Sequence, residues 1–353
     1  MCVHVSARSF RARIGAYAEL ARVSNVPTVA SSALAGMAIG AFSQGDMRLL
    51  SDWRSALPVV AACCAFYIAG MALNDLMDRH IDARERPRRP IPSGRISPEG
   101  AAAFASILVV GGLWLLSFGA MERLIAGIAL VGCIVLYNVL HTRTRLSVLV
   151  MGLCRALVYV TAALSFGPLP QVFPVVVCGL ILLLYVAAFS MIARHEAAAA
   201  PRDTCGRCGY PVEHRSGVCP ECGAAREAPT GLQHGLTRSM AWAKPYLLLV
   251  LLLAAAVALP FSFPLHRART GEEIVLVVLL CLVVSFMAGW LNAAAKQLAH
   301  DPPRIGAAVT MWIAAISLFD GYIAILAGSA AIGLASVACF ALTRIAQRFI
   351  AGT

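Results

Sequence analysis

Charge is what this sequence has least of. Only 13% of its 353 residues are Asp, Glu, Lys or Arg, about half the share of an ordinary soluble domain. Hydrophobic residues make up 59% and the mean hydropathy is +0.77. So little charge excludes a soluble globular fold, and so much apolar residue over this length excludes disordered, collagen-like and small disulfide-stapled chains. A cleaved signal peptide is not expected either, because Arg11, Arg13, Glu19 and Arg22 break up any apolar run in residues 1–24. That stretch predicts an amphipathic helix at the membrane surface, with Ile14, Tyr17, Ala18 and Ala21 on its apolar face.

What is there is long apolar runs. A bilayer core about 30 Å thick takes about 20 apolar helical residues. Ten stretches qualify: 26–43, 57–75, 100–119, 123–140, 148–167, 172–192, 245–265, 274–294, 306–326 and 328–345. Small residues interrupt the first (Ala35, Gly36, Gly40), and only Gly328 and Ser329 separate the last two, so nine or ten spans are both compatible. The expectation is an all-α polytopic membrane protein. With a cytoplasmic N-terminus, 23 of the 29 Lys and Arg fall on cytoplasmic segments, which orients the chain by the positive-inside rule. The net charge of +11 is then topological and implies no nucleic-acid partner; the expected location is the inner cell membrane.

Three acids stand at the end of the second span. Asn74, Asp75, Asp78 and Asp82 share one helical stripe by i+3 and i+4 spacing. Like charges so placed repel unless neutralised. Carboxylates with an amide oxygen are hard ligands suited to Mg²⁺ shared with a phosphate; a solvated helix end paired to nearby arginines is the alternative. Arg84, Arg86, Arg88 and Arg89 lead into the Pro-punctuated loop Pro90-Ile91-Pro92-Ser93-Gly94-Arg95. Acids for a metal and arginines for phosphate in one mouth suggest a pyrophosphate site.

The stretch NDLMDRHIDARERPRRPIPSGRIS, residues 74–97, resembles the NDxxDxxxD motif and RPxPxGxxS continuation of the UbiA superfamily of intramembrane prenyltransferases. Weaker similarity extends to Glu19–Pro27, which resembles the family's entry to its first span. The resemblance implies a helix bundle around a central cavity, Mg²⁺-dependent binding of a prenyl diphosphate, and prenyl transfer to a lipophilic, often aromatic, acceptor. It places Asn74, Asp75, Asp78 and Asp82 at the metal and diphosphate; Arg88, Arg89 and Arg143 are then expected to neutralise the leaving group, although positive-inside topology explains Arg143 equally well. The alternative is a non-catalytic or transport-related relative that binds an isoprenoid or lipid phosphate.

Two features depart from the family pattern. The second Asp-rich motif expected after the sixth span is replaced by Ser190-Met191-Ile192-Ala193-Arg194-His195-Glu196, where Glu196 is either a single ligand or solvated surface. After the fourth span, Tyr137 is followed by His141, Arg143 and Arg145 rather than a Lys-Arg pair. Within the spans, Asp320 requires either a cavity-facing role or a hydrogen bond to a neighbouring helix, and Arg155 is a cation that could pair with it or with the diphosphate.

Cys205, Cys208, Cys219 and Cys222 form C-x2-C-x10-C-x2-C, a spacing that predicts a closed, structural tetrahedral zinc site like that of a zinc ribbon. The expected organisation is transmembrane helices in 1–193, a cytoplasmic loop at 194–243 carrying this insertion as a lid or partner-docking module, and further transmembrane helices in 244–353.

Overall fold

A computed structural model describes residues 12–144, 146–199, 259–263, 270–300 and 303–350. Among these the chain is all helical. An N-terminal helix, α1 (residues 12–20), precedes α2 (Val26–Gln44), α3 (Trp53–Met77), the short α4 (Arg79–Glu85), α5 (Pro98–Ser117), α6 (Met121–Leu140), α7 (Ser147–Ala163) and α8 (Phe173–Ala199). After the insertion come α9 (Thr270–Gln297), α10 (Ile305–Leu326) and α11 (Ala330–Ala346). Among the described residues eight helices are long and apolar enough to cross a membrane, and α11 is a shorter apolar helix of 17 residues. The protein is therefore a multi-pass membrane protein. The four insertion cysteines and nearly all of the expected 245–265 span lie outside the described residues, as do the side chain of Glu196 and the whole of Arg145.

Local sequence explains where helices start and stop. Asp52 caps α3 by accepting from the Arg54 amide, and Ser97 caps α5 by accepting from Gly100 N, with Pro98 in the first turn. Gly45 ends α2 in the left-handed region (φ 73°) that a side chain would resist. The small residues of the first span do not interrupt it, since α2 is continuous. They let it press against α7 instead, where a Cβ at Gly36 or Gly40 would run into the backbone of Tyr159 or Ala163. Close backbone approach of this kind supplies packing where lipid offers no hydrophobic driving force between helices.

Helices α2 and α10 form the centre. Every residue from Ala35 to Ala41 and from Ala314 to Ala327 is buried. The outer helices present Ile107 and Trp114 (α5), Ile125 (α6), and Val277 and Phe286 (α9) to the surroundings, as lipid contact requires. Helix α1 docks on protein, but through a different face from the expected one. Ile14 is exposed, whereas Ala16, Leu20 and Ala21 are buried, and Tyr17 packs on Phe104 with ring centroids 5.0 Å apart.

Candidate functional site

The acidic stripe sits where α3 gives way to α4. Asp78 occupies the joint at φ −84°, ψ 0°, accepting a backbone bond from Asp82 N while its own amide donates to Asn74 O. The helical path is nearly unbroken across this joint, and the stripe holds its direction. Its four members nonetheless divide into two pairs.

Asp75 and Asp82, both buried, share Arg89: Nη1 lies 3.2 Å from Asp75 Oδ1 and 2.6 Å from Asp82 Oδ2. Arg22 Nη2 adds a weaker contact to Asp75 Oδ1 at 3.4 Å. Asp78 turns instead to His141, whose Nε2 lies 2.8 and 2.9 Å from its two oxygens. The Asn138 carbonyl can only accept, so His141 Nδ1, 2.8 Å away, carries a proton, and the Asp78 contact is charge-assisted when Nε2 carries one too. Asn74 Nδ2 donates to Asp78 Oδ2 at 3.2 Å.

This arrangement fits a hard divalent cation at one pair. Two carboxylate oxygens converge on a single guanidinium nitrogen, and a compact cation in that place meets the same two ligands. The expected four-ligand set is not assembled. Among the described residues no three His, Cys, Asp or Glu side chains gather closely enough to hold a metal, and Asp78 is taken up by His141.

A mouth of about 390 Å³ opens beside the pair, lined by Glu19, Arg22, Asp75 and residues 85–90. Arg88 is exposed there, and its carbonyl accepts from Arg95 Nη2 at 2.6 Å. Glu19 pairs bidentately with Arg95 at 2.7 and 3.1 Å and holds that guanidinium above its ordinary pKa, a contact between α1 and the Pro-rich loop. Arg143 is exposed and ion-paired to none of the stripe acids. The basic group that meets the stripe from α6 is His141, at the joint of Tyr137 and Arg143.

Beneath the mouth lies a cavity of about 170 Å³ walled by α2, α3, α6, α7, α8 and α10, mostly with apolar side chains such as Phe66, Leu130, Val158 and Phe189. Arg22 lines both spaces. It is the single described non-glycine residue at positive φ (43°), a conformation that costs a bulky side chain about 1–2 kcal/mol. That strain puts its guanidinium at the threshold. In the sequence Arg22 is a charge that breaks the apolar run of residues 1–24, within the stretch Glu19–Pro27, and His141 a basic residue at shifted spacing after Tyr137; the left-handed turn and the 63-residue separation of His141 from Asp78 leave no local signal.

Asp320 does not face the cavity. It is completely buried and accepts from Ser31 (2.5 Å) and Ser32 (3.0 Å) of α2 and from Tyr159 of α7 (2.5 Å). Arg155 does line the cavity but forms no ion pair with Asp320; its guanidinium donates to Thr28 O (3.2 Å) and Thr28 Oγ1 (2.9 Å).

Fold and site together define a membrane-embedded protein with an acid-and-arginine mouth over an apolar chamber. The chain belongs to the UbiA prenyltransferase family, whose pattern matches residues 29–212. Curated relatives are named digeranylgeranylglyceryl phosphate synthase. The one from Methanococcus aeolicus is 34% identical over 125 residues, covering 35% of this chain and 42% of the relative. The one from Methanopyrus kandleri is 37% identical over 123 residues, covering 35% and 41%. The matches thus span well under half the length of these relatives. Among solved structures, an apo UbiA homologue from Aeropyrum pernix K1 superimposes with a TM-score of 0.57 at 16% identity, covering 84% of this chain and 96% of that one. A structure described as informing on digeranylgeranylglyceryl phosphate synthase in membranes gives 0.53 at 19% identity, covering 92% and 99%. At such identity the likeness is one of fold alone.

Proposed function

We propose that the protein is an Mg²⁺-dependent prenyltransferase that moves a prenyl group from a prenyl diphosphate to a lipophilic, often aromatic, acceptor. The observation that carries this reading is the junction at Arg22: a mouth with paired carboxylates and arginines opens beside an apolar cavity, and one cation belongs to both. A molecule with a diphosphate head and a hydrocarbon tail fits that division, head at Arg88 and Arg89, tail among Phe66, Leu130 and Val158. Asp75 and Asp82 would hold Mg²⁺, which would supply charge neutralisation to the departing diphosphate. When phosphate and cation enter, Arg89 exchanges its carboxylate partners for phosphate oxygens, a bidentate match for a guanidinium. The cavity wall, mostly apolar and with Phe66 and Tyr137 among its aromatic members, would keep water from the allylic cation.

Within the same reading the chain lies in the inner cell membrane with the mouth, the N-terminus and the 194–243 loop cytoplasmic, as the distribution of basic residues suggests. The spacing of Cys205, Cys208, Cys219 and Cys222 supports a structural Zn²⁺ with no open coordination position; Cys219→Ser with Cys222→Ser should then remove about one equivalent of zinc. The deciding experiment incubates purified protein with a panel of prenyl diphosphates, acceptors and Mg²⁺ and follows diphosphate release. Mg²⁺-dependent release with a prenylated product supports the reading. Tight binding of the diphosphate without turnover for any acceptor favours the non-catalytic isoprenoid binder.

A further inference from the structure

Away from the mouth, the outer surfaces of α9 and α11 are apolar for most of their length. They change at one end. Helix α10 packs against both, and aromatic side chains bridge its two neighbours: Phe340 of α11 meets Phe286 and Trp290 of α9 edge-on, with ring centroids 5.6 and 4.9 Å apart. One turn beyond Phe340, the guanidinium of Arg344 lies over Trp290, its central carbon 5.0 Å from the ring centroid, a cation–π arrangement. Both partners are fixed. Arg344 Nη1 donates to Gln347 Oε1 at 2.7 Å, and Gln347 Nε2 donates in turn to Asn25 Oδ1 (3.1 Å), directly before α2, and to Thr310 O of α10 (3.2 Å). The indole N–H of Trp290 donates to Met311 O at 2.9 Å. Asn25 N donates to Arg22 O, so this end of α11 lies at the mouth end of the bundle.

Three more cations stand at the same end, one to each helix: Lys296 in the last turn of α9, Arg304 directly before α10, and Arg348 four residues after Arg344, all exposed. Like charges spaced as Arg344 and Arg348 are repel each other. Among the described residues no carboxylate lies within 4.0 Å of any of the four. Beside them Leu342, Ile345 and Phe349 are exposed as well. The helix ends thus combine unpaired positive charge with an apolar, aromatic floor. Topology accounts for basic residues at this end of the bundle. It does not account for a guanidinium held over an indole by a side chain that is itself bonded to two further segments.

We propose that the adjoining ends of α9, α10 and α11 bind an anionic phospholipid, its head-group phosphate at Arg344 and Arg348 and its acyl chains along the exposed apolar side chains of α9 and α11. A tryptophan beneath the arginine suits the depth at which head groups lie, and each arginine near an anionic lipid adds attraction. A zwitterionic head group carries a cation of its own, which the same arginines repel, so the site discriminates between lipids by charge. None of the four cations lines the mouth or the cavity, and the site does not depend on prenyl transfer.

The test uses the purified full chain in mixed micelles and follows tryptophan quenching by phosphatidylglycerol or phosphatidylcholine with bromine-labelled acyl chains. The anionic lipid should reach half-maximal quenching at a mole fraction at least about tenfold lower, since each of two arginines near the head group contributes about fivefold. Trp290→Phe should abolish that difference, which places the bound lipid beside this ring. Arg344→Gln should bring the difference to within about threefold. Should that variant not fold, Arg348→Gln, at an exposed position, should reduce it by at least about threefold. Arg79→Gln, at an exposed position on the same end of the bundle, should leave it intact. Equal quenching by the two lipids overturns the proposal. So does a preference that survives Trp290→Phe or both arginine substitutions, or one that falls as far with Arg79→Gln, the mark of diffuse charge. Displacement of the anionic lipid by millimolar inorganic phosphate, beyond what sodium chloride of equal ionic strength achieves, would show a site for free anions and overturn the lipid assignment.

Discussion

The aspartates at the mouth and the one in the centre of this protein are held by opposite chemistry. At the mouth, Asp75 and Asp82 are paired with the guanidinium of Arg89, and Asp78 with the imidazole of His141. In the centre, Asp320 is surrounded by the hydroxyls of Ser31, Ser32 and Tyr159. Charged partners beside an open space can be exchanged for a cation and a phosphate. Hydroxyls from two other helices in a sealed core cannot leave without separating the helices. An intramembrane acid is by default a functional hypothesis; its partners decide whether the function is chemistry or assembly.

The sharpest way to break this comparison is to neutralise each set in turn. Asp75→Asn or Asp82→Asn should weaken Mg²⁺-dependent prenyl diphosphate binding by about 10- to 100-fold, since a charge-assisted contact to the cation is worth about 1.5–3 kcal/mol. Asp320→Asn should leave that binding within about threefold. Equal losses in all three variants, measured by calorimetry, would erase the distinction.

Stability should respond in the reverse order. Asp320→Leu strands the three hydroxyl donors around it, an expected loss of about 3 kcal/mol or more at about 1–3 kcal/mol for each unsatisfied buried donor. Asp82→Leu at the open mouth should cost far less, because Arg89 can turn to water. Unfolding in mixed micelles compares the two.

A smaller effect concerns Asp78. If His141 is what keeps Asp78 from the cation, His141→Gln should lower the Mg²⁺ concentration needed for half-maximal diphosphate binding by roughly two- to fivefold, the equivalent of a partly exposed ion pair. An unchanged requirement would show that two carboxylates suffice. The smallest effect belongs to Glu19 and Arg95, each about two-fifths exposed. A double-mutant cycle on that pair should give a coupling below about 1 kcal/mol.

Much of the bundle was legible in the chain because a membrane span is a local property. Length and hydropathy marked eight helices that the structure shows, and i+3/i+4 spacing put the four residues of the stripe on one side of a helix end. Partner choice was less legible. The spacing joined Asn74, Asp75, Asp78 and Asp82 as one ligand set, whereas Arg89 and His141 divide it in two. Asp320 left two readings open, and the hydrogen-bonded one holds. His141, directly after the last residue of α6, is the group from that helix that meets the stripe, while Arg143, two residues further on, is exposed and stays a proposed phosphate contact.

The sequence by itself determined that the chain crosses a membrane many times and carries one acid-and-arginine motif at a helix end, because hydropathy and helical period act over a few turns. Tertiary structure alone decided that Arg22 stands at the threshold of two spaces, that His141 meets Asp78 across 63 residues, and that Asp320 closes on Ser31 across 289. Those contacts depend on which helix faces which. In lipid that is settled by close backbone packing, as of Gly36 and Gly40 on α7, and by the need to satisfy each buried polar group, neither of which any single segment encodes.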